Sequence, residues 1–372
     1  MEMVLWKGEK QQMKKGFTKG LFALMLSMVL ILAGCGAKQE PKEAVQTAAT
    51  QAAEMTSYAM TSKVKIDNLS FSSAENSEDM AMFMSMLKDA ELTVDGVFQN
   101  DPMQAEFTLG IAIKGDMEMT YNIPMVVTTE KVYVKVPNIP MLPMPETLID
   151  KYIELDMKKL AEEEGVEWNP AAMDVAKSQE LTNEISEAVL AEYDQDTYFK
   201  NLETDAVTLP EDVEAKQIVQ FAITNDNVKE AITVLVNNAL PKVLDIISKD
   251  EYKEMLQLTD EDIAEAKEAL TATDQSQMAA DLEELKNYLT INTFNINTAI
   301  NKDNIPAYQE AIVDIVINDP DTEEVINLAL TGTNHYSKIN EKPEFVIGIP
   351  AGDDVVTMEE FEEVLNEYYY SY

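Results

Sequence analysis

The clearest pattern in the sequence is an alternation of apolar and polar residues that runs from position 91 to position 136. A period of two is typical of β-strands that bury one face and expose the other. The connections between successive runs are short and contain turn residues such as Asn100-Asp101-Pro102, so neighbouring strands are expected to be antiparallel. The apolar positions of these strands are Leu92, Val94 and Phe98; Phe107, Leu109, Ile111 and Ile113; Met117, Met119, Tyr121 and Ile123; and Val132, Val134 and Val136.

Further alternating runs lie on both sides of this block. One begins at Tyr58, and a single strand is predicted in the middle of the chain at Val219, Phe221 and Ile223. Later strands are predicted around Phe294 to Ile300, Ala311 to Ile317, Ile326 to Leu330 and, as the last one, at Phe345, Ile347 and Ile349.

Between the strand blocks the apolar period changes to three and four residues, which indicates amphipathic helices. Helices are predicted at residues 43–55, 171–200 and 276–288, and a long one at 226–248 that Pro241 is expected to bend. Thr259 with Asp262, and Thr357 with Glu360, have the spacing of reciprocal caps that open two further helices.

This order of elements predicts an α+β fold: a curved antiparallel β-sheet with helices packed across one face. The two strand blocks are expected to share one sheet, because neither has a partner for its apolar face within itself. Residues 43–349 then form the main domain, with strands over 58–157, helices over 161–288 and strands over 290–349. Residues 350–372 form a C-terminal helix and a tyrosine-rich tail. The length leaves two subdomains open as an alternative.

The N-terminus has the pattern of an export signal. Five lysines precede an apolar run from Leu21 to Leu32, which is too short to span a bilayer comfortably and suits a secretory signal. The run ends in Leu32-Ala33-Gly34-Cys35, which resembles the lipobox of bacterial lipoproteins. Cleavage would leave Cys35 as a diacylglycerol-modified N-terminus, with 35–42 as a tether. The alternative is a transmembrane anchor with an incidental cysteine. Residues 1–12 are interpreted as an upstream start-site extension.

The lipobox, a helix, and Ser57-Tyr58 leading into antiparallel strands together resemble bacterial lipoproteins of the LolA-like superfamily, including the LppX and LprG type. Two stretches add to the resemblance, Lys131 to Val136 and Tyr152 to Leu160. The resemblance implies a half-barrel whose concave face, closed by helices, holds acyl chains. This chain departs from the pattern in its helix-rich stretch 161–288, and no residue role is carried over.

The composition and charge of the chain exclude several classes of function. The chain has 28 basic residues, all lysine, against 68 acidic ones, and the formal charge is −40. The first 34 residues hold five lysines and two glutamates, so the mature chain would carry −43. A mature protein with this negative charge is expected to repel nucleic acid and anionic membranes. The acyl chains on Cys35 would therefore provide the membrane attachment. One Cys and one His allow no internal disulfide and no two-histidine metal site.

The methionine-rich run from Met80 to Met86 has three interpretations. Thioethers bind Cu(I), pack in cores, and adapt to irregular apolar partners such as lipids. The run suits either a strand by its alternation or a helix by its i, i+3, i+4 spacing. Met141 and Met144 lie in a Pro-rich loop that is either the mouth of a pocket or a crossing at the end of the sheet.

The acidic clusters and the single histidine favour structural roles. The clusters at 162–164, 319–324 and 353–354 do not match the calcium-loop motif and are interpreted as solvated surface. His335 is interpreted as a polar loop residue, since the chain has no Gly-x-Ser-x-Gly elbow. No nucleotide-binding glycine motif is present, so neither a cofactor nor a catalytic site is predicted.

The sequence therefore predicts a non-enzymatic lipoprotein, lipid-anchored outside the cytoplasm at the bacterial cell surface. Its ligand is expected to be a lipid or another apolar molecule, bound in a cavity between sheet and helices. The predicted lining is Phe107, Leu109, Ile111, Met117, Met119 and Tyr121. Two other hypotheses stay open: an envelope interaction or structural lipoprotein with no small ligand, and a carboxylate-based hydrolase.

Overall fold

The computed structural model describes residues 39–72, 87–114, 118–139, 144–163, 168–170, 174–271, 275–319, 322 and 324–370. The strands are β1 Ser57–Ser72, β2 Glu91–Gln99, β3 Gln104–Ile113, β4 Met119–Thr128, β5 Lys131–Lys135, β6 Tyr152–Asp156, β7 Phe199–Leu202, β8 Gln217–Ala222, β9 Leu289–Ile300, β10 Pro306–Asp319, β11 Glu324–Ser337 and β12 Val355–Thr357. The helices are α1 Pro41–Ala53, α2 Met157–Glu163, α3 Val175–Glu192, α4 Gln195–Tyr198, α5 Val228–Val234, α6 Leu240–Ile247, α7 Asp250–Leu256, α8 Asp260–Thr271, α9 Gln275–Tyr288 and α10 Met358–Tyr370.

Both strand blocks join in one sheet, as the alternation predicts. Its twelve strands have the order β12-β6-β5-β4-β3-β2-β1-β11-β10-β9-β8-β7, so β1 pairs with β2 on one side and β11 on the other. The sheet is curved and open rather than closed. It is mixed rather than purely antiparallel, because the short strand β12 runs parallel to β6. The α+β class and the shared sheet are confirmed.

Most of the helices form where the apolar period predicts them. The helix predicted over 171–200 is instead α3 and the short α4, and the strand β7 begins at Phe199. Helix ends are fixed by specific bonds. Thr259 and Asp262 make the predicted reciprocal cap of α8, with Thr259 N donating to Asp262 Oδ2 at 2.8 Å and Asp262 N donating to Thr259 Oγ1 at 3.1 Å. The predicted bend near Pro241 is a π-helical segment, Leu235–Ala239, between α5 and α6. Proline lacks the N–H that a continuous helix needs, so the ladder is interrupted there.

The main core lies between the helices and the β7–β11 part of the sheet. Ala44, Val45 and Ala48 of α1 pack with Val219 and with other buried side chains of α5, β8, β9 and β10. The small side chains of α1 let this helix approach the sheet closely. Tyr193, which follows α3, is 2% exposed, and its burial raises the pKa of its hydroxyl to about 12. The prediction of helices across one face is therefore confirmed for this part of the sheet.

The predicted last strand at Phe345, Ile347 and Ile349 is wrong. Residues 343–350 form an irregular segment. The backbone N–H groups of Val346, Ile347 and Gly348 donate to the carboxylate of Glu106 at 2.6–2.8 Å instead of to a neighbouring strand. A buried carboxylate can take these donors because it offers two acceptor oxygens. Alternation alone did not reveal this competing partner.

Residues 39–42, which the prediction assigns to a tether, belong to the folded part of the chain. Gln39 is already bound to β8: its N–H donates to Gln217 Oε1 at 3.2 Å, and its carbonyl accepts from Gln217 Nε2 at 2.9 Å. The side chain of Glu40 accepts from Gln195 Nε2 at 3.1 Å, and α1 begins at Pro41. The chain is thus fixed to the edge of the sheet from residue 39 onward.

Candidate functional site: an open apolar sheet face

One face of the sheet is apolar along nearly its whole width, and we call it the apolar face. The register places Val64, Leu92, Ile111 and Tyr121 directly opposite one another across β1 to β4. On the other side of β1 the same row continues through Gly332, Ala311, Ile296 and Phe221. The side chains of the two strand blocks thus form one continuous surface.

The helices that pack most extensively on this surface contact β7 to β10, and others lie at the β6/β12 edge. In the described residues, β1 to β5 have no comparable helical cover. We call the apolar face of β1 to β6 the open half. Val64 and Leu92 are each 42% exposed there, and Leu109, Ile111 and Tyr121 are half-buried. Large side chains on a covered sheet face are normally buried, so within the described residues the end of this half around Val64 and Leu92 is uncovered. At its other end Phe98 and Ala105, which lie on the same face, are buried.

Five of the six predicted lining residues lie together on the open half. Phe107, Leu109 and Ile111 are on β3, and Met119 and Tyr121 are on β4, with Ile111 directly opposite Tyr121. The Tyr121 hydroxyl donates to Met119 Sδ at 3.2 Å, which gives its polar atom a partner within the face. The sixth residue, Met117, and the predicted lipidation site, Cys35, lie outside the described residues.

The open half also contains residues that the predicted lining omits. They are contributed by β1, β2, β5 and β6 and comprise Met60, Val64, Leu92, Val94, Val132, Val134, Ile153 and Leu155. The alternation in each strand was visible in the sequence. Only the register shows that the strands present these side chains on the same face as β3 and β4.

Gly96 shapes the surface at its centre. A Cβ at this position would lie 2.3 Å from Phe107 Cδ1 and 2.9 Å from the Glu106 carbonyl oxygen. The ring of Phe107, directly opposite on β3, therefore rests on the bare backbone of β2. The glycine allows a large aromatic side chain to lie flat across the neighbouring strand.

The opposite face of the same strands is polar. Lys63 Nζ lies 2.8 Å from Glu91 Oε1, and the hydrogen bond from this lysine lowers the pKa of the Glu91 carboxyl below its usual value. Lys131 Nζ lies 2.6 Å from Glu154 Oε1. In the described strands every lysine is on this polar face, so none of the strand lysines lies on the open half.

The other residues that the sequence singled out for possible chemistry form no common site within the described residues. His335 lies in β11, not in a loop as the sequence suggested, and its Nε2 is 3.2 Å from Asp212 Oδ2. The described residues contain no group of three or more His, Cys, Asp or Glu side chains placed to hold a metal ion. The run from Met80 to Met86 and the loop residue Met141 lie outside the described residues.

A separate concavity of about 600 Å³ lies at the strand ends. It is bounded by residues 212–216, by 301–307 and by 336–340, and it mixes lysine and acidic side chains. None of the predicted lining residues borders it. The open half is thus distinct from this cleft.

No protein-family model matches this chain, and no curated protein matches it either. Across the described residues no single helix combines the length and hydropathy of a membrane span, although Val228–Ile247 and Asp250–Leu256 meet both criteria as a pair bent by 85°.

Proposed function

We propose that this protein is an exported, membrane-anchored lipoprotein that binds a lipid or another apolar molecule and catalyses no reaction. The observation that carries the proposal is the open half of the apolar face, with Val64 and Leu92 42% exposed in an otherwise very acidic, polar surface. Burial of apolar area releases about 25 cal/mol per Å². A hydrocarbon chain laid along these rows would gain that stabilisation without needing any charged contact.

The shape and chemistry of the open half suit a flexible chain. Its rows of side chains run across adjacent strands about 4.8 Å apart and follow the curvature of the sheet. Met60, Met119 and Met125 contribute thioether side chains that adapt to irregular apolar partners. A carrier of acyl chains, the class that the LolA-like resemblance implies, would use such a surface.

The proposed anchor restricts how the protein sits at the membrane. If Cys35 carries the lipid, only residues 36–38 separate it from Gln39, which is bound to Gln217 on β8. Four residues extend at most about 14 Å. The β7/β8 edge would therefore face the membrane, while the open half lies toward the other edge of the sheet.

Ligand binding is tested with protein purified without detergent. We expect mass spectrometry of an organic extract to find bound lipid, and the neutral dye phenylnaphthylamine to fluoresce on the delipidated protein. Leu92→Lys should weaken dye binding at least about 10-fold, because it places a charge in the open half. Val346→Lys is the matched control, since Val346 is 91% exposed and lies elsewhere. Absence of both lipid and dye binding would refute the proposal.

The anchor is tested separately by growth with labelled palmitate. We expect the wild-type protein to carry the label and Cys35→Ala to carry none. Equal labelling of the two proteins would show that Cys35 is not the attachment site.

A second candidate is an envelope interaction or structural lipoprotein without a small ligand. The openness of the surface within the described residues favours it, because a protein partner can cover a broad apolar face that no helix covers. In that case the purified protein holds no lipid, and Leu92→Lys weakens association with the partner or with a second copy of the chain.

A further inference from the structure

A row of polar residues, three of them buried and the fourth half-buried, crosses the apolar face from β9 to β1. Thr298, Gln309, Asn334 and Ser62 stand directly opposite one another on β9, β10, β11 and β1. We call them the polar row. Beyond Ser62, the same line continues into the open half through Val94 and Leu109. The row therefore connects the covered half of the face to the open half.

The polar row holds atoms that lack hydrogen-bond partners. Thr298 is fully buried and Gln309 is 3% exposed, yet neither Thr298 Oγ1 nor Gln309 Nε2 has a partner. Asn334, 5% exposed, accepts at Oδ1 from Ser62 Oγ at 2.7 Å. The Asn334 side chain also interacts with the Tyr336 hydroxyl, and this interaction opposes the rise that burial causes in the pKa of Tyr336. An unpartnered buried polar atom costs about 1–3 kcal/mol, so two on directly opposite residues require an explanation.

Small residues beside the polar row leave space for a ligand atom. Ala311 and Gly332, the next residues along the face of β10 and β11, stand opposite each other. A Cβ on Gly332 would have its nearest neighbours at 3.9 Å, the Ala311 Cβ, and at 4.0 Å, the Lys63 carbonyl oxygen. The register thus places two residues with little or no side chain between Val64 of the open half and Ile296 under the helices, and we call this position the depression.

The chemistry of the free atoms defines what can bind there. Amide nitrogens donate hydrogen bonds only, and a threonine hydroxyl can donate as well. A ligand that satisfies these atoms must therefore present acceptor oxygens to the row. All lysines of the described strands lie on the opposite face, so no strand lysine would balance a carboxylate or phosphate at this depth. A buried unbalanced charge is costly, whereas an ester or amide carbonyl is neutral.

We propose that the polar row binds the carbonyl oxygen of an ester or amide linkage, so that the ligand of the open half is a neutral acylated molecule. Its hydrocarbon chain lies along Val94 and Leu109, and its linkage enters the depression at Ala311 and Gly332. This inference rests on the proposed lipid-binding function and adds the chemical class of the ligand. The competing explanation is ordered water alone at the row.

The test compares three fluorescent probes that share one hydrocarbon body: dodecylpyrene, pyrene-dodecanoic acid and the methyl ester of that acid. We expect the delipidated wild-type protein to bind the ester about 10-fold more tightly than the hydrocarbon, and the ionised acid no more tightly than the hydrocarbon. Gln309→Leu should remove the preference for the ester while the hydrocarbon binds as before.

Gln220→Leu is the matched control. Gln220 is also a buried amide of the sheet, 7% exposed, but it lies on the opposite face and donates to Asn297 Oδ1 at 2.8 Å. This variant should keep the ester preference. Gly332→Val is a second variant, which fills the depression at a strand position with room for a side chain. It should also abolish the preference.

The outcomes separate the two proposals. If no probe binds, the proposed function fails, and the inference fails with it. If the ester and the hydrocarbon bind equally, or Gln309→Leu leaves the preference intact, the row holds only water and the inference alone is overturned. Tighter binding of the ionised acid would overturn the neutral class of ligand.

Discussion

At the scale of single residues, glycine and buried polar atoms shape the apolar face. Gly96 is required because the Phe107 ring occupies the place where a Cβ would lie, whereas a Cβ on Gly332 would meet its nearest neighbours at 3.9 and 4.0 Å, which are ordinary van der Waals distances. The two glycines look alike in the sequence, since both lie inside alternating strands. Their opposite surroundings make them a matched pair for testing how the face is packed.

We predict that Gly96→Ala destabilises the protein by about 1–3 kcal/mol, because the added methyl group must displace the Phe107 ring or the Glu106 backbone. Gly332→Ala should be neutral or stabilising by up to about 1 kcal/mol, since alanine loses less conformational entropy than glycine. Denaturant unfolding of both variants measures these differences. Equal stability of the two variants would contradict the packing described for Gly96.

At the scale of elements, the segment that follows β11 depends on one carboxylate. Residues 346–348 are attached to β3 by three N–H donors to Glu106, a side chain that is 5% exposed. Consecutive N–H groups that converge in this way form an anion-binding nest. Here the anion is part of the protein, so the nest fixes the path of the chain toward β12.

We predict that Glu106→Gln destabilises the protein by about 2 kcal/mol or more, because the amide turns an N–H₂ group toward backbone donors. Residues 343–354 should also be cleaved faster in limited proteolysis. Glu344→Gln is the control: this exposed carboxylate near the same segment pairs with Lys338 at 2.7 Å. An unchanged unfolding midpoint and cleavage pattern for Glu106→Gln would refute the role of the nest.

At the scale of the whole molecule, the dominant feature is the formal charge of −40. Most lysines with an ion-pair partner are partly or largely exposed, and such surface pairs contribute little. The repulsion among the unpaired carboxylates is therefore the larger electrostatic contribution to folding. Salt reduces this repulsion because it shortens the screening length.

We predict that raising NaCl from about 20 mM to about 500 mM increases the melting temperature by about 2–5 °C. Calorimetry at both concentrations gives the measurement, with sucrose of equal osmolality as the control for effects unrelated to charge. A melting temperature that falls with salt would show that the ion pairs outweigh the repulsion.

The sequence by itself determined most of the elements, because local periodicity and capping depend on near neighbours. The helix at 43–55, the reciprocal cap of Thr259 and Asp262, and the shared sheet of two strand blocks all follow from such patterns. Five of the predicted lining residues lie on one face for the same reason. The proposed lipid anchor at Cys35 also rests on sequence alone.

Only the tertiary structure decided which surfaces are covered and which partners distant residues have. The alternation at 345–349 predicts a strand, but Glu106, some 240 positions away, takes the N–H groups of that segment. The polar row combines residues from β1 and from β9 to β11, so no pattern among neighbouring residues in the sequence predicts it. Register and helix placement are set by long-range packing, and among the described residues they leave the part of the apolar face around Val64 and Leu92 uncovered.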